Sequence, residues 1–254
     1  MEKKTVAVGG LLIGEGMPKI CVPMTGTSVE ALCAEAEALR EAGAQMAEWR
    51  MDWFEAWEDE TAVAEALRRL RNSLGTLPLL ATFRTKAEGG QSDISPQQYR
   101  RLYEAVLTSG QAELIDLELF FHQETVRELL KRAKELGVVT VLSSHDFIQT
   151  PPREEIEARL RRMEDMGGDI AKIAVMPQTA LDVAELLAAA AESREKLSCP
   201  VVAISMGGLG VASRMVGQIF GSAITFGTVG NGSAPGQLPV GRMKEVLTWI
   251  HEAQ

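Results

Sequence analysis

The chain has little of what several protein classes require. Its 254 residues include only three cysteines, three histidines and 5% aromatics. Cys21, Cys33 and Cys199 are odd in number, widely spaced and without a CxxC partner. That excludes a disulfide scaffold, and reduced structural thiols of a cytoplasmic protein are expected. With so few histidines and no His/Cys cluster, no metal site is expected. No run approaches the roughly 18 consecutive apolar residues that a membrane helix needs. The opening MEKKTVAVGG lacks the apolar run of a signal peptide, so neither anchor nor leader is expected. A net charge of −9 argues against nucleic acid or an anionic membrane as partner. An anionic small-molecule substrate would then need a local cluster of positive charge. No Gly/Pro/Ser-rich linker interrupts the chain, and one domain over residues 1–254 is expected.

What is present is an alternation. Apolar, β-branched runs fall at Ile20–Thr25, Met46–Asp52, Leu79–Arg84, Leu114–Leu119, Val138–His145, Ile170–Met176, Val201–Met206 and Ile224–Val229. Between and after them lie segments with apolar positions at three- and four-residue spacing: Val29–Glu41, Thr61–Asn72, Pro96–Leu107, Glu124–Leu136, Glu154–Met166, Leu181–Ala191, the short Gly210–Phe220 and Met243–His251. Ser28 and Ser95 stand where helix caps belong, Pro152 opens a helix, and Gly43, Gly137 and Gly167 close helices. Eight β/α units close a (β/α)8 TIM barrel, whereas a doubly wound sheet usually stops at about five or six strands. Residues 5–16, with two apolar runs around Gly9-Gly10, predict a β-hairpin that plugs the bottom of the barrel.

Period-2 parity sorts each strand into a lumen side and a helix side. In AEWRMD the apolar set is Ala47, Trp49 and Met51, so Met46, Glu48, Arg50 and Asp52 point inward. The same test places Thr82 and Arg84, Asp116 and Glu118, and Lys172 inside. A barrel interior is ordinarily filled by branched apolar side chains, and buried charge is costly unless paired. One inward charge would be an unremarkable structural pair. Glu48, Arg50, Arg84, Asp116, Glu118, His145 and Lys172 together, toward strand C-terminal ends, predict an active site.

Lys172 is the lone lysine in an apolar strand. Its alternative is a strand-end side chain reaching solvent, but a strand middle leaves little room for that. Desolvation and nearby positive charge would favour the free amine, a nucleophile toward carbonyls. The resulting imine is an electron sink for a carbanion at the α-carbon. His145, ending the preceding strand in SSHDF, suits a general base beside such an imine. Taken alone it could equally be a satisfied half-buried histidine. Glu88, in TFRTKAEGG, could orient that imidazole or be a solvated loop carboxylate. The glycine-rich SMGGLGVASR and GTVGNGSAPGQ follow strands seven and eight, where barrels often bind anions. Arg214 would clamp a carboxylate there, with Ser233 and Gln237 donating hydrogen bonds.

GEGMPKI, AEWRMD, TFRTKAEGG, IDLELF, SSHDF, AKIAVMPQT, ASR and GSAPGQLPV occur in that order along essentially the whole chain. In these motifs the sequence resembles the type I 3-dehydroquinate dehydratases. The resemblance implies a cofactor-free hydro-lyase of the shikimate pathway, acting as a cytoplasmic homodimer. It implies Lys172 as the Schiff-base lysine, His145 as acid and base, and Glu88 as the partner of His145. Glu48, Arg50 and Arg84 would meet substrate hydroxyls and polar neighbours. Arg214, Ser233 and Gln237 would hold the substrate carboxylate, and Met206 and Phe226 would line the pocket. Pro23 and the plain Gly207-Gly208-Leu209 loop depart from some family members. Two rivals fit part of this pattern. A class I Schiff-base aldolase uses the same barrel and amine chemistry on a ketose or its phosphate, and a non-enzymatic barrel could simply bind a small acid.

Overall fold

In the computed structural model, which describes residues 5–230 and 236–254, the predicted alternation is realised. After β1 (Val6–Val8) and β2 (Leu11–Ile13) come the barrel strands β3 (Lys19–Met24), β4 (Met46–Arg50), β5 (Leu79–Thr82), β6 (Leu114–Glu118), β7 (Val139–Asp146), β8 (Ile170–Val175), β9 (Val201–Ser205) and β10 (Ile224–Thr228). A two-residue strand, β11 (Leu238–Pro239), follows. The helices are α1 (Val29–Glu41), α2 (Glu60–Leu74), α3 (Pro96–Ser109), α4 (Gln123–Leu136), α5 (Arg153–Asp165), α6 (Ala180–Lys196), α7 (Val211–Val216) and α8 (Val240–Glu252). None is long and apolar enough to cross a membrane. Their ends obey local rules: Ser28 caps α1, Ser95 forms a reciprocal capping box with Gln98, and Gly137 ends α4 in the left-handed region.

All neighbouring strands from β3 to β9 pair in parallel, and β10 pairs with β3 on one side and β11 on the other. The curled sheet is a TIM barrel. Its seam lies between β9 and β10, where the link is a Val201–Ser222 bridge with the Ala223 amide donating to the Val201 carbonyl at 2.8 Å. Side chains carry the seam upward: Ser222 Oγ accepts the Ala203 amide, and Arg214 on α7 donates to the Phe226 carbonyl.

Parity holds strand by strand. Ala47, Trp49, Ala81, Phe83, Ile115, Leu117, Ala171 and Ile173 pack against helices in the outer hydrophobic layer. Cys21, Met46, Leu80, Leu114, Val141, Ile170, Val202 and Ile224, near strand starts, fill the lumen instead. Val8 and Ile13 of the hairpin join that inner cluster and so close the bottom. Gly9 and Gly10 turn the hairpin at φ 52° and 83°, as a two-residue turn with two left-handed positions requires.

Two predicted strands end two residues earlier than the apolar runs suggest. β4 stops at Arg50 and passes into a 3-10 turn, Met51–Trp53, while β5 stops at Thr82. Asp52 and Arg84 are therefore buried at strand exits rather than in ladders, because their backbone and side chains serve a loop described below. The segment read as a helix over Gly210–Phe220 is helical only over Val211–Val216.

Candidate active site

With an apolar floor below, the upper lumen holds the charges. Lys172 Nζ lies 3.2 Å from Asp116 Oδ2 and 3.8 Å from Glu48 Oε1, with the Phe226 ring centroid at 4.5 Å. Its immediate charge partners are thus carboxylates, not the nearby positive charge expected from the sequence. Arg84, 3% exposed, donates to Asp116 at 2.7 Å, to Glu118 and Ser143 at 3.0 Å, and reaches Glu88 at 3.5 Å. Ser143 Oγ in turn donates to Asp116 at 2.6 Å. Glu48 accepts from Thr82 Oγ1 at 2.9 Å, and Glu118 takes both the amide and the hydroxyl of Thr85. Each buried charge therefore has partners, which is the condition for keeping it there.

Glu88 ends a 3-10 turn, Lys86–Glu88, and bends back over the barrel mouth. Its Oε2 accepts the His145 amide at 3.0 Å and lies 2.9 Å from His145 Nδ1. Burial, and then the Glu118 carboxylate, push Glu88 up to about 8 against the pull of Arg84. Burial, followed by the positive charges of Arg84, Lys172 and Arg50, holds His145 well below the usual imidazole range. A neutral ring with Nδ1 directed at Glu88 leaves Nε2 for the cleft.

The opposite wall comes from β9, α7 and β10. Arg214, buried on α7, is anchored to the Phe226 carbonyl, and burial draws its guanidinium down to about 10, so it is still cationic at neutral pH. One cleft at the C-terminal ends of the strands is lined by Glu48, Arg50, Arg84, Glu88, His145, Lys172, Met206, Arg214, Phe226 and Gln237. Of the predicted site residues among those described, Asp116 and Glu118 stand behind the cleft, paired with Arg84, and the others line it. Ser233 lies outside the described residues. Pro23, noted above as a departure from some family members, also lines the cleft, and Gly89, Phe147, Ala174 and Ile204, to which the sequence drew no attention, complete the lining. Gly89 has φ +82°, and a Cβ on it would stand 2.3 Å from the Phe147 ring, so ring and loop are fitted to each other. Nothing in SSHDF alone shows that the phenylalanine two residues past His145 faces a glycine from another loop.

Both of the chain's tyrosines stand behind the site on α3. Tyr103 Oη accepts the Phe83 amide at 2.9 Å and donates to the Asp116 carbonyl, while Tyr99 Oη accepts the Glu118 amide at 3.4 Å. They satisfy backbone groups that the ladder leaves open where β5 ends and the charged residues begin. Among the described residues, no group of three or more His, Cys, Asp or Glu is placed to hold a metal ion. The arrangement offers an enclosed amine, an imidazole with the Glu88 carboxyl group behind it, and a cationic wall. That set suits covalent catalysis on a ketone that also carries a carboxylate.

Comparison with known proteins places the chain in a single family. Residues 20–254 match the family described as Type I 3-dehydroquinase. A 3-dehydroquinate dehydratase of Syntrophotalea carbinolica is 47% identical over 97% of this chain and 98% of its own length. One of Bacillus licheniformis is 45% identical over 98% of each. The crystal structure of the type I 3-dehydroquinate dehydratase of Clostridium difficile, described as covalently modified by comenic acid, superposes with a TM-score of 0.96 at 42% identity and covers 99% of this chain and 100% of that one.

Proposed function

The chain belongs to the type I 3-dehydroquinase family, and from that premise we propose that it dehydrates 3-dehydroquinate to 3-dehydroshikimate through a Schiff base on Lys172. The observation that carries this reading is the Lys172 amine on the floor of a cleft that also holds His145 and Arg214. The substrate carboxylate lies against Arg214, with Gln237 and Ser233 as further donors. Arg50, Arg84 and Glu48 face its hydroxyls, and Met206 and Phe226 pack on the ring.

The ammonium of Lys172 first gives up a proton toward its carboxylate neighbours. The amine then adds to the ketone carbon, and the carbinolamine loses water to give an iminium. His145 Nε2 removes the proton α to the iminium carbon, and the C–H electron pair becomes an enamine. That enamine expels the β-hydroxyl, which takes the proton back from His145 and leaves as water. Water then hydrolyses the conjugated iminium, freeing product and lysine. One water enters and two leave, so the net change is a single dehydration. Glu88 fixes the tautomer of His145 throughout.

The test is borohydride reduction in the presence of 3-dehydroquinate, followed by mass spectrometry. One ligand mass on the Lys172 peptide is expected, together with rising enone ultraviolet absorbance in unreduced samples. Cleavage of a ketose phosphate without any enone would make the chain an aldolase. Saturable binding with neither adduct nor enone would make it a binding protein.

A further inference from the structure

Asp52 stands outside the cleft, and the mechanism above does not use it. It is 2% exposed, and its carboxylate receives four donors. Oδ1 accepts Arg50 Nε at 2.8 Å and the Arg84 amide at 3.2 Å. Oδ2 accepts Arg50 Nη2 at 2.8 Å and the Gln91 amide at 3.1 Å. The Asp52 carbonyl also accepts Ser92 Oγ at 3.2 Å. A carboxylate offers about four lone-pair directions, and here all are used.

These bonds join two parts of the site that are otherwise separate. The fork to Arg50 is bidentate and sets the orientation of a guanidinium that lines the cleft. The two amides belong to opposite ends of one loop, Arg84 to Gln91, so the carboxylate pinches that loop shut. The loop carries Glu88, which holds His145, and Gly89, which takes the Phe147 ring.

We infer that Asp52 is a positioning residue that couples the substrate-facing Arg50 to the Glu88–His145 pair by clamping both ends of the 84–91 loop. The inference rests on the dehydratase reading and deepens it. Its physical basis is that a buried carboxylate with four donors has one low-energy placement. Each oxygen accepts one donor from Arg50 and one from the loop, so displacing the carboxylate releases arginine and loop together, whereas removing Arg50 leaves both loop amides bonded.

The experiment compares Asp52→Asn with Arg50→Ala in steady state on 3-dehydroquinate, with borohydride trapping at saturating substrate. In Asp52→Asn an NH2 group replaces one oxygen and confronts donors, so both arms loosen. The expected result is a raised KM, a kcat lowered on the order of 100-fold, and a larger trapped fraction of Lys172 than in the wild type. The trapped fraction grows because imine formation outlives proton abstraction. Arg50→Ala keeps the loop clamp and is expected to raise KM without enlarging the trapped fraction. A purely structural Asp52 would lower the folded fraction and leave the trapped fraction per folded site unchanged.

The inference is overturned if Asp52→Asn matches Arg50→Ala in KM, kcat and trapped fraction, or if it retains wild-type kinetics. Should Asp52→Asn fail to fold, Asp52→Glu keeps the charge but shifts the oxygens. A wild-type kcat and trapped fraction in Asp52→Glu would likewise overturn the inference. Failure of the wild type itself to dehydrate 3-dehydroquinate would sink the functional reading and this inference together. Wild-type turnover with an indifferent Asp52 sinks the inference alone.

Discussion

In the β7–β8 ladder His145 pairs with Ala174, and the residue opposite Lys172 is Ser143. Imidazole and amine thus point into the same lumen one layer apart, with the histidine nearer the mouth. An α-proton on an iminium held at Lys172 sits above the amine, so the base belongs in the higher layer. Ser143, level with the amine, instead serves the Arg84–Asp116 pair.

From this layering, His145→Ala is expected to form the imine and then stall. Borohydride with 3-dehydroquinate should label its Lys172 peptide while enone production falls by at least about 100-fold, the usual scale of a lost acid–base group. An unlabelled peptide would move His145 into the step that forms the imine.

The pH profile of kcat/KM reports the free enzyme's base. His145 must be neutral to accept a proton, and burial, followed by the charges of Arg84, Lys172 and Arg50, holds its pKa well below the ordinary imidazole value of 6.5. Activity should therefore be lost only as pH falls below about 6.5, the unperturbed imidazole value. An acid limb above that value would contradict the assignment of His145 as base.

Glu88 gives a prediction about stability. Its folded pKa of about 8 lies above the 4.5 it has when solvated, so the folded state binds this proton more tightly than the unfolded one. The stabilisation is complete below pH 4.5 and is lost as pH rises through about 8. Glu88→Gln is always neutral and escapes that loss. Its Tm, compared with wild type by scanning calorimetry, should improve steadily between pH 5 and pH 8. A Tm difference independent of pH would show that Glu88 ionises normally in the fold.

Arg214→Ala should raise KM for 3-dehydroquinate about 10- to 100-fold, since a hydrogen bond to a charged group contributes roughly 1.5–3 kcal/mol. Borohydride trapping at saturating substrate should still label Lys172. An unchanged KM would place the substrate carboxylate elsewhere.

Tyr103→Phe removes the acceptor of the buried Phe83 amide and the donor to the Asp116 carbonyl. Leaving these unmade should cost about 1–3 kcal/mol in urea unfolding. Stability equal to wild type would mean that water replaces the hydroxyl.

The barrel and its inward charges were legible in the sequence, because strand parity and helical period are local and repeat in every unit. Glu48, Asp116, Glu118 and Lys172 each reveal their side of the sheet by their immediate neighbours. The family motifs added roles that parity cannot assign, such as Glu88 with His145. Tertiary structure alone decided which charges touch. That Arg84 engages three carboxylates, that Asp116 rather than an arginine stands beside Lys172, and that Asp52 gathers Arg50 with both ends of the 84–91 loop all depend on shear between strands and on where β4 and β5 stop. Those distances are set by closing eight strands into a ring, a constraint no single segment of the chain contains.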